Sequence, residues 1–403
     1  MSIIPTSADQ ITLSSEQQSA LDQVRTELLQ SDEAVLVGPA GTGKTTIMRE
    51  FIRQWPGRFK LMAPTGKAAL RLSELTGHDT TTIHGALYKE VEELEETLPN
   101  GEKVTHLIFG KAKPPVAAGE LAIVDEASMV GSDLYTTFME QLHEGEGSVL
   151  WVGDKAQLQP VKDTWGPNLD QPTAELTQIH RQALDSPVLK LATLTRQGQS
   201  HLFDTWGDEV SYVENRPIQE AMRWALGGHD RVILTWTNKV RHIANRVARD
   251  IRGFTGNSLV AGDYILIRKN NKTIGVVNGE VRKVARVEKA YRMRHTLLEP
   301  LFVETTCGNS FFVDGQCLGP QTSSETAATH RRLAKAKSTD ANLVAKAEYG
   351  YCLTTHAAQG SQWRDVRFLV CKSLRRSRDG ADKQRLLYTA ITRASEQFIY
   401  HIL

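Results

Sequence analysis

No apolar run in the chain approaches the roughly 20 residues needed to cross a bilayer, and the opening MSIIPTSADQ lacks the charged-then-apolar order of a secretory leader. Both absences lead to the expectation of a cytoplasmic protein without a membrane partner. Cysteine is scarce as well. Cys307, Cys317, Cys352 and Cys371 show no C-x-x-C spacing, so neither a zinc site nor a disulfide framework is indicated. An excess of charge is also missing: the formal net charge is +1, so any nucleic-acid contact has to come from a local channel. No internal repeat or low-complexity tract is present.

At 403 residues the chain is too long for one ordinary core and suggests two or three domains. Short apolar runs near 33–37, 58–63, 120–124 and 147–152 alternate with amphipathic segments, the pattern of a parallel α/β sheet. A second alternation starts at Arg231-Val232-Ile233-Leu234-Thr235. It resumes at 351–354, 366–370 and 397–400. The interruption, roughly 255–345, is rich in β-branched residues and in turn signals such as Gly262-Asp263 and Asn278-Gly279, which predicts a small inserted barrel. A helix near 325–348 is expected to return the chain. A smaller insertion at about 88–118 carries Asn100-Gly101 between strand-like runs, a hairpin signal.

The run GPAGTGKTT, Gly38 to Thr46, follows the strand-like Ala34-Val35-Leu36-Val37 and fits G-x-x-x-x-G-K-[ST]. Gly38, Gly41 and Gly43 permit tight turns that aim backbone N–H groups at an anion, and the following helix directs its positive end there. Lys44 is suited to neutralise β and γ phosphates, and Thr45 to supply a hydroxyl oxygen to Mg²⁺. Thr42 and Thr46 complete the expected nucleotide loop.

Asp125-Glu126 follows Leu121-Ala122-Ile123-Val124, which places two carboxylates at a strand's C-terminal end, where open α/β sheets bind ligands. Asp125 is the candidate Mg²⁺ residue. Glu126 is the candidate to polarise a water attacking the γ phosphate. Gln157, beyond the next strand, can sit at the same edge and sense hydrolysis, or merely cap a turn. Arg181 and Arg393 are candidates for stabilising transition-state charge, each with an ordinary surface arginine as the alternative.

In motif order the chain resembles the superfamily-one helicases, and within them the RecD, Dda and TraI-like branch that moves 5′ to 3′. Leu13-Ser14-Ser15-Glu16-Gln17 looks like the adenine-reading Q motif, with a helix cap as the plainer reading of the same residues. Ala63-Pro64-Thr65-Gly66-Lys67 and Thr82-Ile83-His84-Gly85 resemble first-lobe DNA-contact motifs. Thr354-Thr355-His356-Ala357-Ala358-Gln359-Gly360-Ser361 resembles motif V, and the segment ending at Arg393 motif VI. By the same comparison His180 stands where relatives stack on adenine.

The resemblance implies two RecA-like α/β lobes: residues 1–190 with a pin at 88–118, and 191–254 joined to 346–403. The β-barrel domain at 255–345 is inserted in the second. It implies ATP with Mg²⁺ bound through the Gly38–Thr46 loop, Gln17, His180 and Gly360. It also implies single-stranded and forked duplex DNA gripped by Pro64, Thr65, Thr82, His84, Thr237, Asn238, Thr355 and His356, with Phe109 on the pin. Trp165, Trp236 and Trp363 are further stacking candidates, each also readable as partial core. A monomeric motor in replication, recombination or repair follows as the expectation, alongside single-strand-binding or replisome partners. The alternative is a nucleic-acid-stimulated ATPase within a larger complex that does not unwind alone.

Overall fold

The computed structural model describes residues 12–97, 103–111, 114–160, 163–179, 185–199, 205–256, 258–290, 299–315, 318, 342–376 and 380–403, and for 89–97 and 103–111 the backbone alone. The first lobe runs through Ser15–Leu28 (α1), Glu33–Val37 (β1), Lys44–Gln54 (α2), Phe59–Ala63 (β2), Gly66–Thr76 (α3), Thr80–Thr82 (β3) and Ile83–Leu87 (α4). A hairpin of Tyr88–Thr97 (β4) and Lys103–Lys111 (β5) follows, then Leu121–Val124 (β6), Ser132–Glu144 (α5), Ser148–Gly153 (β7) and Ala174–Glu175 (β8). Six strands form one parallel sheet in the order β3-β2-β6-β7-β1-β8. Every residue of Leu121–Val124 is buried, as a strand covered on both faces requires. Phe51, Leu21 and Met48 pack beneath one face, and Phe138, Leu142 and Trp151 fill the other.

The second lobe begins with Pro187–Arg196 (α6), Val210–Glu214 (β9), Ile218–Leu226 (α7), Arg231–Thr235 (β10) and Asn238–Ile251 (α8). It closes with Cys352–Thr354 (β16), Trp363–Val370 (β17), Lys372–Arg376 (α9), Gly380–Ile391 (α10) and Ala394–Ile402 (β18), in a parallel sheet ordered β16-β10-β17-β18-β9. Val188, Leu191 and Ala192 of α6 are buried in this lobe's core. The packing therefore changes sides before Pro187, ahead of the expected boundary at 190.

Between α8 and β16 lie Tyr264–Ile267 (β11), Val281–Lys289 (β12), Pro300–Thr305 (β13), Ser310–Asp314 (β14) and Ala347–Tyr349 (β15), an antiparallel sheet ordered β14-β13-β12-β11-β15. A bridge between Phe312 of β14 and Val344, in the segment that leads into β15, brings the two edges of this small barrel-like sheet together. The expected helix at 325–348 fails at its end, because Ala347–Tyr349 pairs with β11 as a strand. Its alternating burial, with Ala347 and Tyr349 inward, is the period-2 signal that a helical reading missed. Residues 325–341 lie outside the described residues. The barrel is fastened to the lobe by Arg249, whose Nε donates to Asp263 Oδ1 at 3.0 Å while Tyr351 donates to the same oxygen at 2.7 Å. Arg249 also donates to the Gly256 and Ser258 carbonyls, the extra bonding a buried ion pair needs to offset its desolvation.

Candidate nucleotide and nucleic-acid site

The strand β1 ends at Val37 and the chain turns through Gly41 and Gly43, at φ of 86° and 81°, into α2. Gly43 is the residue preceding that helix and gives its N–H groups no side-chain cap. A helix start with open donors and a lysine as its first residue is an anion site. Among the described residues Lys44 Nζ donates to two neutral carbonyls, Gly38 O and Pro39 O at 2.5 and 3.1 Å.

Around this loop is a cavity of about 450 Å³ lined by Lys44, Thr45, Asp125, Glu126 and Gln157 from the first lobe and by Gly360 and Arg393 from the second. Thr46 is half-buried one residue beyond Thr45 and does not line it. Asp125 Oδ1 accepts from Glu126 N at 2.8 Å. Desolvation, then the neighbouring Glu126 charge, pushes the Asp125 carboxyl above its usual range. Glu126 stands at φ 54°, ψ 41°, a left-handed conformation rare for a side chain of this size and concentrated at functional sites. Gln157 is 6% exposed, and its Oε1 finds no hydrogen-bond partner among the described residues. An orphaned acceptor sharing a cavity with a lysine and two adjacent carboxylates fits a polyphosphate with a hard cation and a water.

Arg393 reaches the cavity from the second lobe. It is 4% exposed and donates to Thr389 O, Ser361 O and Thr392 Oγ1, with Nη1 4.0 Å from Glu126 Oε1. Burial depresses its pKa, opposed by the Glu126 charge. His180 and Arg181 lie outside the described residues. Gly360, at φ 71°, lies so close to α3 that a Cβ there would meet Ala68 Cβ at 2.8 Å, so no larger residue fits without moving the lobes apart.

Gln17 is both the cap and the loop contact. Its Oε1 accepts from Ser14 N at 3.0 Å, completing a capping box, and its Nε2 donates to Thr42 O at 3.2 Å. Thr42 Oγ1 in turn donates to Pro39 O.

The DNA-contact candidates lie at strand C-termini, in two kinds. Pro64 is half-buried, while His84 and Asn238 are exposed. Thr65, Thr82 and Thr237 cap α3, α4 and α8, their hydroxyls accepting from Ala68, Gly85 and Val240 N–H groups. His356 is half-buried, and desolvation lowers its pKa. Thr355 is fully buried, with its hydroxyl turned to Thr235 O at 3.4 Å, so it builds the edge and presents no surface to a strand. Trp363 carries the Lys67 ammonium over its ring at 4.6 Å and is half-buried. Burial lowers Lys67 to about 8. Trp236 packs on the second-lobe core, and Trp165 lies beneath Arg385. Phe109 is opposite Glu90 in the hairpin.

Among the contacts between the lobes, those of Arg71, Gln359 and Tyr388 have no local signal in the sequence. Arg71 donates to Gln362 Oε1 at 2.5 Å, Gln359 Nε2 to Leu158 O at 3.4 Å, and Tyr388 joins both Ala40 and Asp154. Only the position of Tyr388 and Gln359 within recognisable motifs hinted at them.

Residues 12–223, more than half of the chain, match the family model described as AAA domain, and residues 349–399 match the UvrD-like helicase C-terminal domain. The chain is 31% identical over 411 residues to the ATP-dependent RecD2 DNA helicase of Deinococcus radiodurans, covering 96% of this chain and 48% of that protein. It is 29% identical over 144 residues to the ATP-dependent DNA helicase Pif1 of Campylobacter jejuni, covering 34% of this chain and 30% of that one. It thus spans about half, or less, of the curated relatives' length. Among solved structures, Bacteroides Pif1 bound to single-stranded DNA shares the fold with TM-score 0.56 at 18% identity, covering 97% of this chain and 92% of the other. The Pif1 helicase of Candida albicans does so with TM-score 0.51 at 17% identity, covering 96% and 94%. With its matched domains in this order and a two-lobed parallel fold carrying a hairpin and a barrel, the chain belongs to the superfamily 1B helicases.

Proposed function

We propose that this chain is an ATP-hydrolysing motor that moves 5′ to 3′ along single-stranded DNA and separates duplex ahead of it, in replication, recombination or repair. The observation that carries the reading is the single cavity in which Lys44, Thr45, Asp125, Glu126 and Gln157 face Arg393 of the other lobe. A kinase-like site on one lobe alone would have no use for that arginine.

In this reading Lys44 and the open start of α2 hold the β and γ phosphates. Thr45 and Asp125 would hold Mg²⁺, which supplies further neutralisation of phosphate charge when bound. Glu126 accepts the proton of the attacking water, Gln157 orients that water, and Arg393 stabilises the charge on the transferred phosphoryl group. Arg181 is assigned the same role as Arg393, and Gln17 and His180 the reading of adenine. Gln17 would then have to exchange one of its protein partners for the base.

Release of the cleaved phosphate after hydrolysis removes the charge that draws Arg393 towards the first lobe, so the lobes separate and reclose on a new length of strand. Pro64, Thr65, Thr82 and His84 on one lobe and Asn238 and His356 on the other are proposed to hold that strand, with Thr237 capping α8 behind them. The β4–β5 hairpin with Phe109 acts as the pin. The relatives' helicase names and the DNA-bound Pif1 structure support this substrate class. Single-strand-binding or replisome proteins are the partners that such a substrate implies.

The test is ATP-dependent strand separation on two partial duplexes that differ only in carrying a 5′ or a 3′ tail, with phosphate release followed in the same tubes. Separation of the 5′-tailed substrate alone is the expected result. Preference for the 3′ tail overturns the polarity. Hydrolysis without separation on either favours a motor that works only within a larger assembly.

A further inference from the structure

We infer that Tyr388 is a positioning residue through which the second lobe sets the shape of both the phosphate-binding loop and the loop bearing Gln157. The inference rests on the proposed ATPase reading of the cavity. Tyr388 projects from α10 and is 1% exposed, and its hydroxyl crosses to the first lobe. There it donates to Asp154 Oδ2 at 2.6 Å and accepts from Ala40 N at 2.9 Å. One oxygen thus joins the glycine loop to the turn after β7.

Asp154 is itself 2% exposed, and its other oxygen accepts from Ala156 N at 3.0 Å, shaping the turn that leads to Gln157. Leaving a buried carboxylate oxygen without a donor is expensive, so the Tyr388 hydroxyl is what makes that turn tenable in the closed molecule. Burial, then the Asp154 charge, raises the phenol well above its ordinary range, so the donor is present at any working pH.

The next residue extends the hold. Thr389 Oγ1 accepts from Leu158 N at 3.0 Å, Gln359 Nε2 donates to Leu158 O, and the Leu158 side chain is buried in the second-lobe core. Gln157 therefore stands between two points, Asp154 and Leu158, both fastened to the second lobe. Arg393 follows on the same segment, since Thr392 N donates to Tyr388 O at 3.0 Å. When the lobes part, Ala40, Asp154 and Leu158 lose their partners together. Closure then delivers Arg393 and corrects the positions of the phosphate loop and Gln157 in one movement.

The experiment compares wild type, Tyr388→Phe, Asp154→Asn and the double variant by steady-state phosphate release against ATP concentration, with saturating oligo-dT. The ring of Tyr388→Phe keeps its packing, and melting curves report any loss of stability separately. Each single variant should lose about tenfold in kcat, the worth of one hydrogen bond to a charged group, with KM for ATP changed less than about twofold. The double variant should be no slower than Tyr388→Phe, because the one interaction that Asp154→Asn weakens, its bond with the Tyr388 hydroxyl, is already absent there. Unchanged kcat in Tyr388→Phe, or losses that multiply in the double variant, overturns the inference. Should Tyr388→Phe fail to fold, unchanged kcat in Asp154→Asn does the same. A wild type that hydrolyses ATP without stimulation by oligo-dT sinks the helicase reading instead, and the variants' kcat still decides the role of Tyr388.

Discussion

The two parallel sheets place their candidate functional loops alike, beyond the carboxyl ends of the strands, yet α2 in one and α8 in the other are finished in opposite ways. In the first lobe α2 starts after Gly43, with no side chain on its free N–H groups. In the second, α8 starts after Thr237, whose hydroxyl accepts from Val240 N at 3.3 Å. Both helices have the same orphan donors and the same dipole. The first leaves them without a side-chain acceptor, and the second satisfies one of them from its own chain. The chemistry of the strand ends follows suit: the first lobe offers Lys44, Asp125 and Glu126, while the second offers hydroxyls, the amide of Asn238 and His356. In the proposed function, a shared fold thus yields one lobe that holds the nucleotide and one that supplies Arg393 to it.

The sharpest way to break this asymmetry is Lys44→Ala. It removes the charge at the open helix start and should lower turnover by about a thousandfold or more, while leaving single-strand affinity within about twofold. Filter binding and phosphate release measure the two, and retained turnover would relocate the nucleotide. Arg393→Lys asks whether the second lobe contributes chemistry or only closure. A lysine keeps the charge but cannot reproduce bonds to Thr389, Ser361 and Thr392 at once. Turnover should fall about a hundredfold or more with nucleotide binding retained. Equal losses in binding and turnover would mark Arg393 as a ground-state ligand.

How much of this was legible in sequence depends on distance along the chain. The glycine loop and the Asp125-Glu126 pair carry their chemistry within a few residues, and the buried strands announce themselves as apolar runs. The short strands β3, β8 and β9 were missed because sheet neighbours define them: Thr80–Thr82 contains no apolar residue at all. In sequence Gln17 suits either an adenine contact or a cap, and the structure shows the cap with a hold on Thr42 added. Thr355 looked like a hydroxyl offered to DNA, yet only the tertiary fold reveals that Thr235 O receives it. Tyr388 and Asp154 lie 234 positions apart, and no local pattern tells a phenol in a core from one whose oxygen spans two lobes.

Asp125→Asn sharpens the comparison through stability. The raised carboxyl means that the folded protein holds a proton that the unfolded chain releases near its ordinary value of 3.8. The associated stability is complete below that value and is lost as pH rises through the folded pKa. At pH 7.5, without divalent cation, the native state therefore carries a penalised charge. Asparagine removes it, so melting temperature should rise by roughly 1–2 °C per kcal/mol relieved, while turnover collapses. The gap between variant and wild type should shrink at pH 5. A fall in melting temperature at pH 7.5 would show that the carboxylate is structural.

Thr237→Ala has the smallest expected effect and tests the other half of the contrast. If α8 is finished by its own cap, losing the hydroxyl leaves Val240 N without its partner and should cost about 1 kcal/mol. Because α8 lies under the barrel-bearing side of the second lobe, through Arg249 to Asp263, that loss belongs to folding. Denaturant midpoints should move and kcat should not. Serine at the same position should restore the midpoint, since any hydroxyl there can accept. Were alanine instead to leave stability unchanged and weaken single-strand binding, Thr237 would be serving a ligand as Gly43 does, and the two helix starts would be alike in use as well as in geometry.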